Sequence, residues 1–215
     1  MISDVIQTIA DWLFLPWIVI MLFGAGLFLT LRYRFVQVTH FGQALRELVG
    51  RKSGTTGALT PFQSFMTALA ASIGTGNIAG VATAIVSGGP GALFWIWCYG
   101  FVAMAIKFTE AVLGLKYRAV LPNGDVLSGP MYYLRDGMKS PFLATTYALI
   151  AGVAALTTTP FTQPNSIANV LERQLHVPTW VVGIALAVLT WAVIIRGIKS
   201  IGRAAERLSP LKVGL

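Results

Sequence analysis

Apolar residues in this chain arrive in five blocks, and the charged residues fall mostly in the segments between them. A helix crosses a hydrocarbon core of about 30 Å with roughly 20 mostly apolar residues, so blocks of this length predict transmembrane helices. The first is residues 12–31, WLFLPWIVIMLFGAGLFLTL, with Trp12, Trp17 and Tyr33 where an interfacial aromatic belt would lie. Residues 32–57 are an amphipathic connection: over Arg32–Lys52, Arg32, Arg34, Arg46, Glu47, Arg51 and Lys52 are mixed with Phe35, Val36, Phe41, Leu45 and Leu48, which predicts an amphipathic helix on the membrane surface. SGTTG at Ser53–Gly57 ends it. The second block, Pro61–Ser87, is rich in small residues, and the turn Gly88-Gly89-Pro90-Gly91 leads into a third, Ala92–Tyr117, headed by Phe94, Trp95, Trp97 and Tyr99. A polar connection, Arg118–Lys139, has room for a short surface helix at Met131–Leu134. The fourth block is Pro141–Phe161, followed by a polar segment, Thr162–Pro178, and the fifth is Trp180–Ile195. Residues 196–215 form a basic amphipathic pattern that begins a further helix. The expectation is an all-α, polytopic protein, a single membrane domain over residues 1–215.

Composition agrees with this layout. Hydrophobic residues make up 55% and charged residues 11%, and the mean hydropathy is +0.71, outside the range of water-soluble domains. The net charge of +8 raises the question of nucleic acid, and the positions of the charges answer it. Five of the 16 Lys and Arg residues lie between the first two spans and five at or after the end of the third (Lys107, Lys116, Arg118, Arg135, Lys139). Five more follow the fifth (Arg196, Lys199, Arg203, Arg207, Lys212), which leaves Arg173 alone on the other side. Basic residues gather in cytoplasmic loops, so the alternation puts the N-terminus outside and the C-terminal segment inside, with the second span running outward. A nucleic-acid partner would need one continuous stripe, which the spans interrupt. Asp4 and Asp11 precede the first apolar run and no basic segment does, so that run is expected to stay as a helix rather than be cleaved. Cys98 is the single cysteine, which excludes an intrachain disulfide.

Candidate chemistry sits in the second block. SIGTGNIAG, Ser72–Gly80, places Gly74, Gly76 and Gly80 at mid-span, each about 1 kcal/mol poorer than alanine in a helix. Backbone groups freed inside hydrocarbon cost several kcal/mol unless something satisfies them, so a break at this depth is buried in protein or binds a ligand. Discontinuous helices of transporters work this way: the half-helix N-terminus meets a substrate carboxylate, and unwound carbonyls hold a small cation. Ser72, Thr75 and Asn77 supply oxygens for such a cation, and Gly74 and Gly76 let a ligand reach the backbone. An equally physical alternative is that Gly76-x-x-x-Gly80 is a packing face between straight helices.

At ALAASIGTGNIAGVATAIVSGGPGALFWIW, Ala68–Trp97, the sequence resembles the sodium/alanine symporter family, also known as alanine or glycine:cation symporters. Looser likeness continues through KFTE at Lys107–Glu110, GPMYYL at Gly129–Leu134, QPNSIA at Gln163–Ala168 and IKSIGRAAERLSP at Ile198–Pro210. The resemblance implies a leucine-transporter-like fold, two inverted five-helix repeats preceded by one extra helix. On that basis residues 12–31 are the extra helix, residues 61–195 are the first four helices of the first repeat, and the chain is truncated to that repeat. It implies sodium-coupled symport of a small neutral amino acid, alanine or glycine, by alternating access across the plasma membrane, of the bacterial inner-membrane type. Partners are then the amino acid, sodium and the lipid bilayer, with no nucleic acid, no catalytic residue and no cofactor beyond sodium as coupling ion. Carried over residue by residue, the substrate contacts are Thr75, Gly76, Asn77, Phe161 and Gln163, and the sodium ligands Ala70, Ser72, Ile73 and Asn77. The chain departs from the family around Gln163, where Thr159-Pro160 and Pro164 replace a Gly-Asn pair and a small residue.

Other residues carry less. Lys107 and Glu110, at i,i+3 near the inner end of the third span, suit a structural or gating pair with a lesser claim to a transport role. His40 and His176 fall in connections with no clustered ligands, which speaks against a metal site. An intramembrane hydrolase would draw its nucleophile from Ser72, Ser87, Ser128 or Ser166, none of which sits in a nucleophile-elbow pattern. A non-transporting helical subunit or a channel would use the same glycines for packing or pore lining.

Overall fold

The computed structural model describes residues 8, 12, 17–50, 59–122, 124–157 and 159–214. Residues 13–16 of the first predicted span and the SGTTG break lie outside them. The described chain is mostly helical and divides into two units: Met1–Phe41 with Pro90–Ala151, and Gly42–Gly89 with Gly152–Leu215.

In the first unit, α1 (Val19–Arg32) packs along a later helix, Gly91–Lys116. Three contacts set the register. Phe23 meets Tyr99 with ring centroids 5.5 Å apart, Gly26 lies against Val102, and Tyr33 meets Phe108 edge to face at 5.7 Å. Residue numbers rise together along the two helices, so they run parallel. Gly26 permits the close approach: a Cβ there would stand 3.0 Å from the Val102 carbonyl oxygen and 3.1 Å from its Cβ. Because that oxygen belongs to a helix backbone, Gly26→Ala is expected to lower stability by about 1–2 kcal/mol, in the range of core overpacking. The check is the midpoint of thermal unfolding in detergent, with Gly24→Ala, which meets no atom within 4 Å, as the unchanged control.

At the end of α1 the chain reverses. The Phe35 N–H bonds the Thr30 carbonyl at 2.8 Å while Arg34 and Phe35 take left-handed backbone angles, φ 52° and 59°. Where a single amphipathic helix was expected over Arg32–Lys52, the described residues form two short ones, α2 (Val36–Thr39) and α3 (Phe41–Val49), divided at His40. Gln37 donates to the buried Thr30 hydroxyl at 3.1 Å and fixes the corner.

The second block is α4 (Pro61–Ser72) and α5 (Thr75–Gly88), bent by 50° at the residues between them. α6 (Gly91–Lys116), 26 residues, is long and apolar enough to cross a membrane. A two-residue hairpin follows, β1 (Ala119–Val120) paired with β2 (Val126–Leu127), which the all-α expectation did not contain. Asn123-Gly124 between alternating residues was its sequence signal. α7 (Pro130–Asp136) is the expected surface helix, docked on α6. There the Tyr133 hydroxyl is held above the ordinary phenol range, first by burial and then by the Glu110 carboxylate.

α8 (Pro141–Thr157) and α9 (Thr159–Leu175) form the fourth block, and the stretch Pro141–Leu175 also passes as a membrane span. The polar segment after Thr162 is therefore helix nearly to its end, not a connection; only His176 to Pro178 joins it to α10 (Thr179–Ile194). α10 turns by 119° into α11 (Ile198–Gly214).

In the second unit α11 lies along α4, and α9 packs on α10 and α5. The α4 start is a capping box: Thr60 accepts from the Gln63 N–H, Gln63 accepts from the Thr60 N–H, and Pro61 occupies the first turn. The same Gln63 donates from Nε2 to Glu206 of α11 at 3.0 Å, and Ser209, 1% exposed, donates to the Met66 carbonyl at 3.0 Å. Large apolar side chains elsewhere face outward, Val86 at 86%, Phe142 at 78% and Trp97 at 75% exposed, the surface of a protein whose solvent is lipid. Among the described residues two helices are long and apolar enough to cross a membrane, and up to four if each bent pair counts as one.

Candidate functional site

The glycine-rich segment is a break. α4 ends at Ser72, Ile73 (φ −100°, ψ 91°) and Gly74 (φ −115°, ψ 171°) are extended, and α5 restarts at Thr75. The cause is local: the Ile73 N–H still reaches the Leu69 carbonyl at 2.9 Å, but extended angles at Ile73 and Gly74 carry the next donors out of the α4 ladder. The N–H groups of Thr75 and Gly76, first in α5, find no acceptor among the described residues, and neither do the carbonyls of Ala70 and Ile73 find a donor. One short segment thus presents free donors at a helix N-terminus and free acceptors at a helix C-terminus. That pairing suits an anionic group on one side and a small cation on the other.

Asn77 bridges the two halves. Its side-chain amide donates to the Ser72 carbonyl, and its N–H bonds the Gly74 carbonyl at 3.1 Å. The carboxamide, expected as a ligand, also holds the break together, and Oδ1 is the acceptor it keeps for another partner. The Ser72 carbonyl is engaged by that amide, so among the expected sodium ligands Ala70 and Ile73 are the carbonyls left open. The Ser72 hydroxyl donates back to the Ala68 carbonyl at 2.9 Å.

α9 supplies the facing wall through Gln163. A Cβ placed on Gly74 would stand 3.1 Å from Gln163 Nε2, so the glutamine amide rests on the bare glycine in the break. Phe161 is 67% exposed and does not join it. Residues two apart on a helix point about 200° apart, so turning Gln163 toward Gly74 turns Phe161 away. α9 stays helical through Pro164, which has no N–H for the carbonyl of residue 160 and frees an acceptor one turn before it.

Among the described residues nothing packs against the other two glycines of the segment. A Cβ at Gly76 or Gly80 would meet no atom within 4 Å among the described residues, in contrast to Gly26. Three of the four candidate nucleophiles donate to carbonyls: Ser128 to Gly114 at 2.7 Å, Ser166 to Thr162 at 2.9 Å and Ser72 to Ala68. Lys107 and Glu110 form their expected pair at 2.7 Å, with 76% and 43% of their side chains exposed. An ion pair that open belongs to the class worth under about 1 kcal/mol.

Comparison with known proteins places the chain in a family. The family model described as sodium:alanine symporter family matches residues 1–215. The sodium/alanine symporter AgcS of Methanococcus maripaludis is 42% identical over 213 residues, covering 96% of this chain and 47% of that protein. The amino-acid carrier protein AlsT of Bacillus subtilis is 36% identical over 204 residues, 95% of this chain and 43% of its own length. A probable sodium/glutamine symporter, GlnT of the same organism, is 30% identical over 199 residues. The chain spans about half the length of the curated relatives it matches, 47% for the first.

Proposed function

The chain belongs to the sodium:alanine symporter family, and from that premise we propose that the full-length carrier takes up a small neutral amino acid, alanine or glycine, together with sodium. It does so across the plasma membrane by alternating access and changes no covalent bond. Residues 61–195 serve as the first four helices of an inverted repeat in a leucine-transporter-like fold, with the N-terminus outside.

The observation that carries this reading is the break itself. A zwitterionic amino acid needs donors for its carboxylate, and the N–H groups of Thr75 and Gly76 are free at a helix N-terminus, where the dipole favours an anion. Gln163 lies beside them on Gly74. Sodium takes oxygen ligands, which the carbonyls of Ala70 and Ile73, with Oδ1 of Asn77, supply across the break from the carboxylate. The proximity of the two charges couples ion and substrate: each is bound more tightly when the other is present.

The donors address the carboxylate that every amino acid carries, and the glycines around them leave the side chain unselected. GlnT, at 30% identity, is named for glutamine, so side-chain selectivity is assigned to walls beyond this segment. The test is uptake of labelled alanine by the full-length carrier in proteoliposomes. Alanine is expected to accumulate only with an inward sodium gradient. An inside-negative potential of about 100 mV adds about 2.3 kcal/mol per net charge moved, close to 50-fold in accumulation. Uptake indifferent to sodium overturns the coupling, and non-saturating flux in both directions restores the channel alternative.

A further inference from the structure

At the corner between α10 and α11 a cavity of about 190 Å³ is lined by Arg196, Ser200, Arg203, Ala204 and Arg207. Gly197, with φ 71°, makes the corner: its N–H bonds the Ile194 carbonyl at 2.8 Å and its carbonyl accepts from Ser200 at 3.0 Å. Only glycine takes that angle freely, and the turn carries Arg196 round to face the first turns of α11.

Helical geometry explains why the arginines stand together. At about 100° per residue, Ser200, Arg203, Ala204 and Arg207 share one face of α11, and Gly202, Ala205 and Ser209 lie on the opposite one. The second face is the packed one, with Gly202 against Leu59 and Ser209 bonded to the Met66 carbonyl. Packing on α4 therefore fixes α11 with its arginines outward. The single acid of α11, Glu206, is drawn off that face by Gln63 at 3.0 Å. Among the described residues no carboxylate pairs with Arg196, Arg203 or Arg207; Arg203 makes one bond, from Nε to the Lys199 carbonyl at 3.4 Å. Three guanidinium groups and a serine hydroxyl thus converge on one cavity with no internal anion. Guanidinium forks suit the oxygens of a phosphate.

The surroundings favour a lipid over a dissolved ion. Ile194 and Ile195 above the corner, and Leu208 and Leu211 beside the last arginine, are 56%, 59%, 56% and 62% exposed. Apolar side chains of that size beside phosphate-binding arginines match a headgroup with its acyl chains attached. We propose that this pocket binds the phosphate of an anionic phospholipid of the cytoplasmic leaflet and seats the α10–α11 corner at the membrane surface. The site is separate from the break between α4 and α5. It rests on the orientation set by the charge alternation and not on transport activity.

The experiment is native mass spectrometry of the full-length carrier with phosphatidylglycerol or phosphatidylcholine of identical acyl chains, each with and without millimolar inorganic phosphate. Phosphatidylglycerol is expected to be retained about 10-fold over phosphatidylcholine. The Arg203→Gln, Arg207→Gln double variant is expected to bring the ratio near one, while Lys199→Gln, outside the pocket, keeps it. Arg203→Lys with Arg207→Lys, which preserves the charge, keeps part of the preference and guards against a folding defect. Equal retention of the two lipids by the wild type overturns the proposal, as does a preference undiminished in the double Gln variant. Displacement of the lipid by inorganic phosphate assigns the pocket to a soluble anion instead. Because retention is read without transport, its failure is distinguishable from failure of the carrier reading.

Discussion

Gly76→Leu in the full-length carrier is expected to insert and fold as the wild type does and to lose alanine binding. Among the described residues a Cβ at this position meets no atom within 4 Å, and residue 76 is the second of α5, where leucine is the better helix former by about 1 kcal/mol. The isobutyl group projects from the residue whose N–H is offered to the carboxylate, so it occupies the approach. Two hydrogen bonds to a charged group contribute about 1.5–3 kcal/mol each, and losing both weakens binding by at least ~100-fold. Calorimetric titration of alanine, with the thermal midpoint measured in parallel, separates loss of the site from loss of the fold. Alanine affinity within a factor of two of wild type would return these glycines to a packing role.

The break was legible in the sequence because glycine leaves a strong local mark and hydrocarbon removes the water that would otherwise excuse it. The charge alternation expects α1 and α6 to run in the same direction, and their parallel pairing through Phe23–Tyr99 and Tyr33–Phe108 is consistent with that expectation. What could not be read was where polar helices end. Thr162 to Leu175 carries Gln163, Asn165, Asn169, Glu172 and Arg173 and reads as a connection, yet packing on α10 and α5 holds it helical. The corner between α1 and α2 was equally hidden, because Arg34 and Phe35 take left-handed angles that no glycine announces.

Within the site the sequence supplied the donors and left the partners open. Asn77 has one amide, and its residue type does not say whether that amide faces a ligand or the Ser72 carbonyl. Gln163 and Phe161 stood together as substrate contacts because the family resemblance carried both over. The 200° between them on α9 separates the two, a distinction available only once Thr159–Leu175 is known to be a helix.

That separation leads to the second large effect. Gly74→Ala is compatible with its backbone, since φ −115° and ψ 171° suit any residue, but the new Cβ presses on Gln163 Nε2 from 3.1 Å. The amide is the far end of a flexible side chain and yields by moving off the break, so the fold survives while the pocket wall shifts. If Gln163 bonds a charged group of the substrate, losing that bond costs about 1.5–3 kcal/mol, or roughly 10- to 150-fold in affinity. Gln163→Ala is expected to cost the same, and Gly74→Ala added to it to cost nothing further, because the group it displaces is already gone. Such complete non-additivity is what residues in direct contact show, whereas independent sites add within about 0.5 kcal/mol. Phe161→Ala is the control, expected to leave affinity within a few-fold of wild type because its side chain points away from Gly74. Additive losses in the double variant would mean that Gly74 and Gln163 act on the substrate separately, and an effect of Phe161→Ala as large as that of Gln163→Ala would mean that α9 turns its other face to the substrate.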